Sequence, residues 1–167
     1  IIKLGGTFHY NSCLTNINFL NNQITSIEVN NSNVLKTDIL VLAIGHSARD
    51  TFEMLSTKDL DMSAKPFAVG VRIEHPQKLI DIHQYGEKYY KDLPPASYKL
   101  TYQTKQNRGV YSFCMCPGGY VVNASSEEGL LAVNGMSNHA RDTNNANSAL
   151  VVTISPDDFG NNPLDGI

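Results

Sequence analysis

The sequence predicts an α+β fold that consists mostly of antiparallel β-sheet with few short helices. Short runs of alternating apolar and polar residues recur along the chain, separated by turns rich in Asn and Gly. The second half reads as a series of hairpins, and helix signals are sparse. With 167 residues, of which 41% are hydrophobic, the chain is long enough for one globular domain or two small ones.

The first part of the chain predicts a small meander followed by one buried strand. Short strands are expected over Thr7–Tyr10, Cys13–Phe19 and Gln23–Val29, with Asn-rich turns between them. The segment from Asp38 to Ile44 is an unbroken apolar run after its first residue. Such a run is typical of a strand that is buried in a sheet on both faces.

A glycine turn, Gly45-His46-Ser47, joins this strand to an amphipathic helix over Ala48–Leu55. Ser47 is expected to cap the helix, with Asp50 at its third position. In α/β folds the carboxyl end of a strand followed by a helix N-terminus is where nucleotides and reactive groups are placed. The turn therefore predicts a surface that faces a ligand.

Three interpretations of this turn are open. It resembles the G-x-S-x-G nucleophile elbow of α/β-hydrolases, although Arg49 occupies the position of the last glycine. It also suits a strand end in a flavin-binding sheet, with the turn backbone beside the dinucleotide. The third interpretation is a structural turn without a ligand, because short motif matches have many false positives.

The second half predicts strands and one helix in a regular order. A helix is expected over Gln77–Tyr85, because Pro76 precedes it and Gly86 follows it. The expected strands are Pro66–Glu74, a hairpin of Tyr98–Thr104 with Val110–Met115, a hairpin of Tyr120–Ala124 with Leu130–Asn134, and a last strand Ala149–Ile154.

Alternation in the strand at Phe67 singles out Arg72. Phe67, Val69, Val71 and Ile73 point to one face, and Ala68, Gly70, Arg72 and Glu74 point to the other. The small residues on the second face leave room for a close approach, so a flavin or an anionic substrate that meets Arg72 fits this pattern. A neighbouring chain segment that pairs with Arg72 fits it equally.

Two cysteines separated by one residue precede a Pro-Gly turn at Pro117-Gly118. Alternation places Cys114 and Cys116 on the face of Ser112, opposite Phe113 and its apolar neighbours. Buried inert thiols, a redox pair and two soft metal ligands are the open interpretations. A zinc site needs further ligands that no nearby spacing supplies, and so no metal is expected.

Two polar stretches, Asn134–Ser137 and Arg141–Leu150, are expected to form a long polar loop segment between strands. It offers the guanidinium of Arg141, the amide of Asn147 and the hydroxyl of Ser148 without apolar anchors. Loops of this kind often bind ligands. A surface loop organised by Asn side chains that bond to the backbone is the alternative.

Composition limits the partners. The formal net charge is −3, so there is no large basic surface for nucleic acid or an anionic membrane. No apolar run approaches the ~20 residues of a membrane span, and no signal peptide opens the chain. Three cysteines do not make a secreted disulfide framework. We therefore expect a cytoplasmic location, and the termini suggest a fragment of a larger protein.

Five motifs in order resemble a family of largely uncharacterised bacterial FAD-dependent dehydrogenases. The motifs are Asp38–Thr51, Lys65–Gln77, Tyr111–Ser126, Asn134–Ser137 and Asn144–Val152. The resemblance implies that this chain is the middle of such an enzyme. Residues 1–55 would be a small piece of the FAD-binding (Rossmann-like) domain, and residues 56–167 an antiparallel substrate or cap domain.

The resemblance also implies FAD as the cofactor of the intact protein, a small-molecule substrate, and NAD(P)H as a candidate electron donor. It places Gly45, His46 and Ser47 near the flavin and makes Cys116 a candidate catalytic residue. The candidates for the cavity that faces the flavin ring are Arg72, Arg141, Asn147 and Ser148.

No G-x-G-x-x-G occurs in the chain, so this piece alone is not expected to retain FAD or to be active. Two rival functions remain. One is a non-catalytic β-rich module for ligand binding or interaction, and the other is a serine hydrolase that uses Ser47.

Overall fold

The computed structural model describes residues 1–166, and the chain divides into two compact units. The first unit comprises Ile1–Ala64 together with the final residues from Asn162, and the second comprises Lys65–Asn161. The expected division after residue 55, between a piece of an FAD-binding domain and a cap domain, stays a prediction.

The first unit contains a three-stranded antiparallel meander and one α-helix. Its elements are β1 (Leu14–Leu20), β2 (Gln23–Val29), β3 (Asn33–Lys36) and α1 (Arg49–Ser56). Asn21 and Asn22 form the two-residue turn between β1 and β2 with φ values of 51° and 60°. Asn tolerates this left-handed conformation better than most residues, which explains why Asn-rich turns separate these strands.

Two strand predictions in this unit are wrong. Residues 7–10 form no strand, and neither do residues 38–44, whose side chains are largely exposed, with Val41 at 82%. A strand needs a neighbour to satisfy its backbone N–H and C=O groups, and no strand within residues 1–166 pairs with this segment. Within residues 1–166 the apolar run is therefore largely exposed and unpaired.

The helix after the glycine turn forms, but its start differs from the prediction. Its N-cap is Ala48, which makes no side-chain capping hydrogen bond. Asp50 is thus the second helical residue, and its Oδ1 accepts a hydrogen bond from the Thr51 backbone N–H at 2.8 Å. Leu55 is buried, as the amphipathic pattern predicts, and Gly45 has a φ of 72° that suits a turn glycine.

The second unit is built on a four-stranded antiparallel sheet and a separate two-stranded sheet. The first sheet has the order β4 (Phe67–Pro76), β9 (Asn145–Ile154), β6 (Gly109–Cys116) and β5 (Thr101–Gln103). The second sheet pairs β7 (Gly119–Asn123) with β8 (Val133–Ser137). Its helices are α2 (Gln77–Tyr85) and α3 (Pro156–Phe159).

The predicted fold class, α+β with mostly antiparallel sheet, is confirmed. Helix α2 has the predicted bounds, with Pro76 as its N-cap and Gly86 as its C-cap. Both predicted hairpins pair, with Tyr102 opposite Val110 in one and Val122 opposite Asn134 in the other. Among residues 1–166, no helix is long and apolar enough to cross a membrane.

The predicted polar loop is wrong for residues 135–137, which lie in β8, and for residues 145–148, which form the first part of the central strand β9. Asn147 and Ser148 have exposed fractions of 0% and 1%. The polar composition hid this strand, because strand residues are recognised by apolar alternation and these residues lack it. The loop between β8 and β9 is limited to residues 138–144.

The four-stranded sheet has a polar and an apolar face. Directly paired residues share a face, so Arg72, Glu74 and Asn147 lie on one side. The apolar side carries Val69, Val71, Leu150 and Tyr102, of which Val71 and Tyr102 are each 65% exposed. The apolar face is thus exposed, whereas Gly135 of β8 lies against Arg72 and Asn147 on the polar face.

Candidate functional site

Arg72 is the centre of a polar cluster on this face. Its Nη1 donates to Asn147 Oδ1 at 2.7 Å and to the backbone oxygen of Cys114 at 3.1 Å. Its Nη2 donates to Asn134 Oδ1 at 3.3 Å. These acceptors lie on β9, β6 and β8, so one guanidinium joins three strands to β4. We call Arg72, Cys116, Asn134, Gly135 and Asn147 the Arg72 cluster.

The acceptors of Arg72 are all neutral. Among residues 1–166, no carboxylate forms an ion pair with this guanidinium. Arg72 is only half-buried, but it is in contact with Asn147, which has no exposed surface. A positive charge in such surroundings is stabilised less than one with a carboxylate partner.

Two N–H groups of the cluster have no acceptor. Arg72 Nε and Asn147 Nδ2 are both buried without a hydrogen-bond partner among the described residues. Buried polar atoms are nearly always paired, and an unpaired donor costs about 1–3 kcal/mol. The cluster therefore has a surplus of hydrogen-bond donors.

A β-bulge brings Cys116 to this cluster. Between Phe113 and Cys116, β6 advances three residues while β9 advances from Ala149 to Asn147. Cys114 absorbs the extra residue with a φ of 46°. The predicted alternation is therefore wrong beyond Phe113, since Cys116 pairs with Asn147 and lies on the face opposite Ser112. Its Sγ donates to the Cys114 backbone oxygen at 3.3 Å.

Gly135 on β8 lies against the cluster. A Cβ at this position would lie 2.2 Å from Asn147 Oδ1, 2.3 Å from Arg72 Nη1 and 2.8 Å from Cys116 Sγ. Only glycine permits this approach, because real Cβ atoms essentially never come within 3.0 Å of such neighbours. Gly70 has a different neighbour, since a Cβ there would meet the Leu150 backbone oxygen of β9.

Gln77 fixes the turn that follows Cys116, and sequence reasoning missed it. Its Oε1 accepts from the Gly118 N–H at 2.8 Å, and its Nε2 donates to Asp81 Oδ1 at 2.7 Å and to the Ala96 backbone oxygen at 2.9 Å. The side chain is 5% exposed. A Gln at a helix start is ordinarily exposed, so no sequence signal pointed to this network.

The remaining predicted site residues lie elsewhere. Ser148 is on the opposite face of β9 from Asn147, and its hydroxyl donates to the Phe113 backbone oxygen at 3.3 Å. Arg141 is exposed with a φ of 53°, and its carbonyl lies against Gly118. Gly45, His46 and Ser47 are exposed residues of the first unit. The structure thus brings together Arg72, Cys116 and Asn147 from the predicted set.

An open cleft of about 330 Å³ is lined by sequence neighbours of the cluster but by none of its five residues. Its lining includes Glu74, which pairs directly with Asn147 across the sheet, and also Tyr120 and Asp142. The Glu74 carboxylate accepts a hydrogen bond from Asn145 Nδ2. No group of three or more metal-ligating side chains occurs in the described part of the chain.

This arrangement can donate hydrogen bonds to the acceptor groups of a ligand that lies beside the Cys116 thiol. The cluster combines a cation, an amide with an unpaired N–H group and the Sγ of Cys116. Such donors suit an oxygen- or nitrogen-rich planar group, as found in a carboxylate or in the pyrimidine edge of a flavin. The donor set therefore fits a site beside a flavin ring.

Comparison with known proteins identifies the family. A family described as "FAD-dependent protein, C-terminal domain-like" matches residues 66–167. An uncharacterized protein of Clostridium beijerinckii is 58% identical over 170 residues, which cover all of this chain and 32% of the relative. The chain thus spans about a third of the length of that relative. By the match over residues 66–167, the chain belongs to the FAD-dependent protein family, in the region described as C-terminal domain-like.

Proposed function

We propose that this chain forms the substrate-side wall of the cavity over the flavin in an FAD-dependent oxidoreductase of the dehydrogenase type. The observation that carries this proposal is the Arg72 cluster, where three predicted site residues meet with unpaired donors. Membership of an FAD-dependent family supports it. When FAD is bound, it supplies the hydride acceptor or donor.

The residues of the chain would bind and orient the substrate. Arg72 and Asn147 would donate hydrogen bonds to its acceptor groups, and Gly135 lets the β8 backbone lie against them. Cys116 would hold a proton at Sγ close to the reacting atoms. The chain lacks G-x-G-x-x-G, so the pyrophosphate would be held by another part of the full-length protein.

The first experiment is a visible absorption spectrum of the full-length natural protein, purified without added cofactor, beside that of this 167-residue chain. Flavin bands in the long form alone are the expected result. If neither form shows flavin, even after FAD is added, the proposal is wrong.

Substitution of Cys116 by Ser tests the catalytic role of the thiol. Cys116→Ser is expected to leave the full-length protein folded and flavin-bound but to slow turnover by about 10²-fold or more, the low end of what a positioned proton donor contributes. Cys13→Ser is the matched control, because Cys13 is an exposed thiol of the first unit. Equal steady-state rates for wild type and Cys116→Ser would exclude the role.

The exposed apolar face of the sheet favours a second function, a non-catalytic interaction module. Exposed patches of this kind often mark protein contacts, and Val71 and Tyr102 are each 65% exposed. A full-length protein that binds no flavin would support this alternative. Hydrolysis at Ser47 lacks support, because the nucleophile elbow follows a strand and residues 38–44 form none.

A further inference from the structure

The strongest unexplained feature of the molecule is the charge of Arg72. A guanidinium has five N–H donors, and three of them bond to the neutral acceptors Asn147 Oδ1, Cys114 O and Asn134 Oδ1. The Nε–H and one Nη2–H remain. These adjacent N–H groups form an edge that a planar carboxylate bridges with two parallel hydrogen bonds.

Asn147 provides an independent indication of a missing acceptor. Its side chain has no exposed surface and accepts from Arg72 through Oδ1, yet its Nδ2 has no partner within residues 1–166. The orientation of the amide is fixed by the donor Nη1, because reversal would bring two donors together. Both unpaired donors therefore belong to side chains that are hydrogen-bonded to each other.

We propose that the Arg72 cluster binds the carboxylate of a small substrate through Arg72 and Asn147. This inference rests on the proposed function and narrows its substrate to a monocarboxylate. Glu74 and Asp142 line the neighbouring cleft, and their negative charges disfavour a doubly charged anion such as phosphate.

Asn147→Asp tests this site with almost no change of shape. The new carboxylate takes the position of Oδ1, pairs with Arg72 Nη1 and removes the unpaired Nδ2–H. This carboxylate therefore balances the positive charge of Arg72 and repels the carboxylate of a ligand. Asn138→Asp is the matched control, because it adds the same charge at an exposed loop position.

The measurement is the thermal unfolding midpoint of the full-length natural protein in sodium acetate, with ionic strength held constant by chloride. At acetate concentrations ten times Kd, the midpoint of wild type and of Asn138→Asp is expected to rise by about 1–2 °C. In Asn147→Asp the acetate-dependent rise is lost. Phosphate at equal ionic strength stabilises all forms alike through its general salt effect, so its rise is the same in wild type, Asn138→Asp and Asn147→Asp.

Several outcomes would overturn the proposal. These are no acetate-dependent rise in wild type, a rise of equal size in Asn147→Asp, and a rise in phosphate that is lost in Asn147→Asp. If Asn147→Asp does not fold, Arg72→Lys serves instead, because it keeps the charge but lacks the bidentate edge, and its acetate Kd is expected to be at least tenfold weaker. Flavin absorption of the same samples separates the two proposals, since it tests FAD binding independently of the acetate response.

Discussion

Two arginines on the four-stranded sheet have opposite surroundings. Arg108, just before β6, donates from both terminal nitrogens to the carboxylate of Asp158, at 2.8 Å from Nη1, and Nη1 also donates to the Thr153 backbone oxygen. Arg72, in the middle of β4, donates only to neutral oxygens. The first charge is balanced within the chain, and the second is not.

The difference separates a structural role from a binding role. The Arg108–Asp158 pair joins the turn before β6 to α3, and Arg108 also bonds to the end of β9 through the Thr153 backbone oxygen. Arg72 fixes β8, β6 and β9 to β4 but keeps unpaired donors. A guanidinium with free N–H groups can form a bidentate pair with the carboxylate of a ligand, so the arginine without a carboxylate partner is the better candidate for binding.

The largest expected effect is at Gly135, where β8 lies closest to Arg72. Gly135→Ala would place a methyl group within 2.8 Å of three atoms of the cluster, so β8 or the cluster must move. We expect the free energy of unfolding to fall by about 1–3 kcal/mol, as for overpacking of a core, which denaturant titration measures.

Gly109→Ala is the matched control for this substitution. Gly109 also lies in a strand, but the nearest atoms to its added Cβ are 3.9 Å away. Its effect is expected to lie within about 0.5 kcal/mol of wild type. Equal losses for the two variants would show that the Arg72 cluster is not closely packed by β8.

The sequence predicts the parts of this unit that depend on local signals. Helix α2 lies between Pro76 and Gly86 as expected, because Pro fixes the entry of the chain and Gly permits its exit. The hairpins pair as expected because alternation and turn residues act over short distances. Arg72 and Asn147 were recognised as candidates, but their direct contact was not.

The remaining errors share a non-local cause. The sequence pattern places Cys116 on the face of Ser112. The bulge at Cys114 shifts the alternation, so Cys116 lies on the opposite face, and a bulge is visible only when the register with β9 is known. The sequence places Asn147 in a loop, because the burial of its amide depends on Arg72, a partner 75 residues away that a local pattern does not reveal. Residues 38–44 read as a strand, but no neighbouring strand is present within the described chain.

A smaller effect is expected at Arg108. There the comparison between the two arginines is tested by the pH dependence of folding stability. The bidentate hydrogen bonds from Arg108, and next the Ser155 backbone N–H, lower the pKa of Asp158 to about 2 from 3.8. The folded state thus holds this proton less tightly than the unfolded state. The stabilisation by Asp158 is complete above about pH 4 and is lost as the pH falls toward 2.

Arg108→Gln removes the main cause of this shift and leaves the Ser155 hydrogen bond. The pKa of Asp158, followed by the carboxyl ¹³C resonance in an acid titration, is expected to rise toward 3.8, and the loss of stability between pH 4 and 2 is expected to diminish. Arg72→Gln should leave this titration unchanged, because no carboxylate pairs with Arg72 in residues 1–166. A shift of the Asp158 pKa in Arg72→Gln would show that the two arginines are coupled, and the distinction between a balanced and an unbalanced charge would no longer hold.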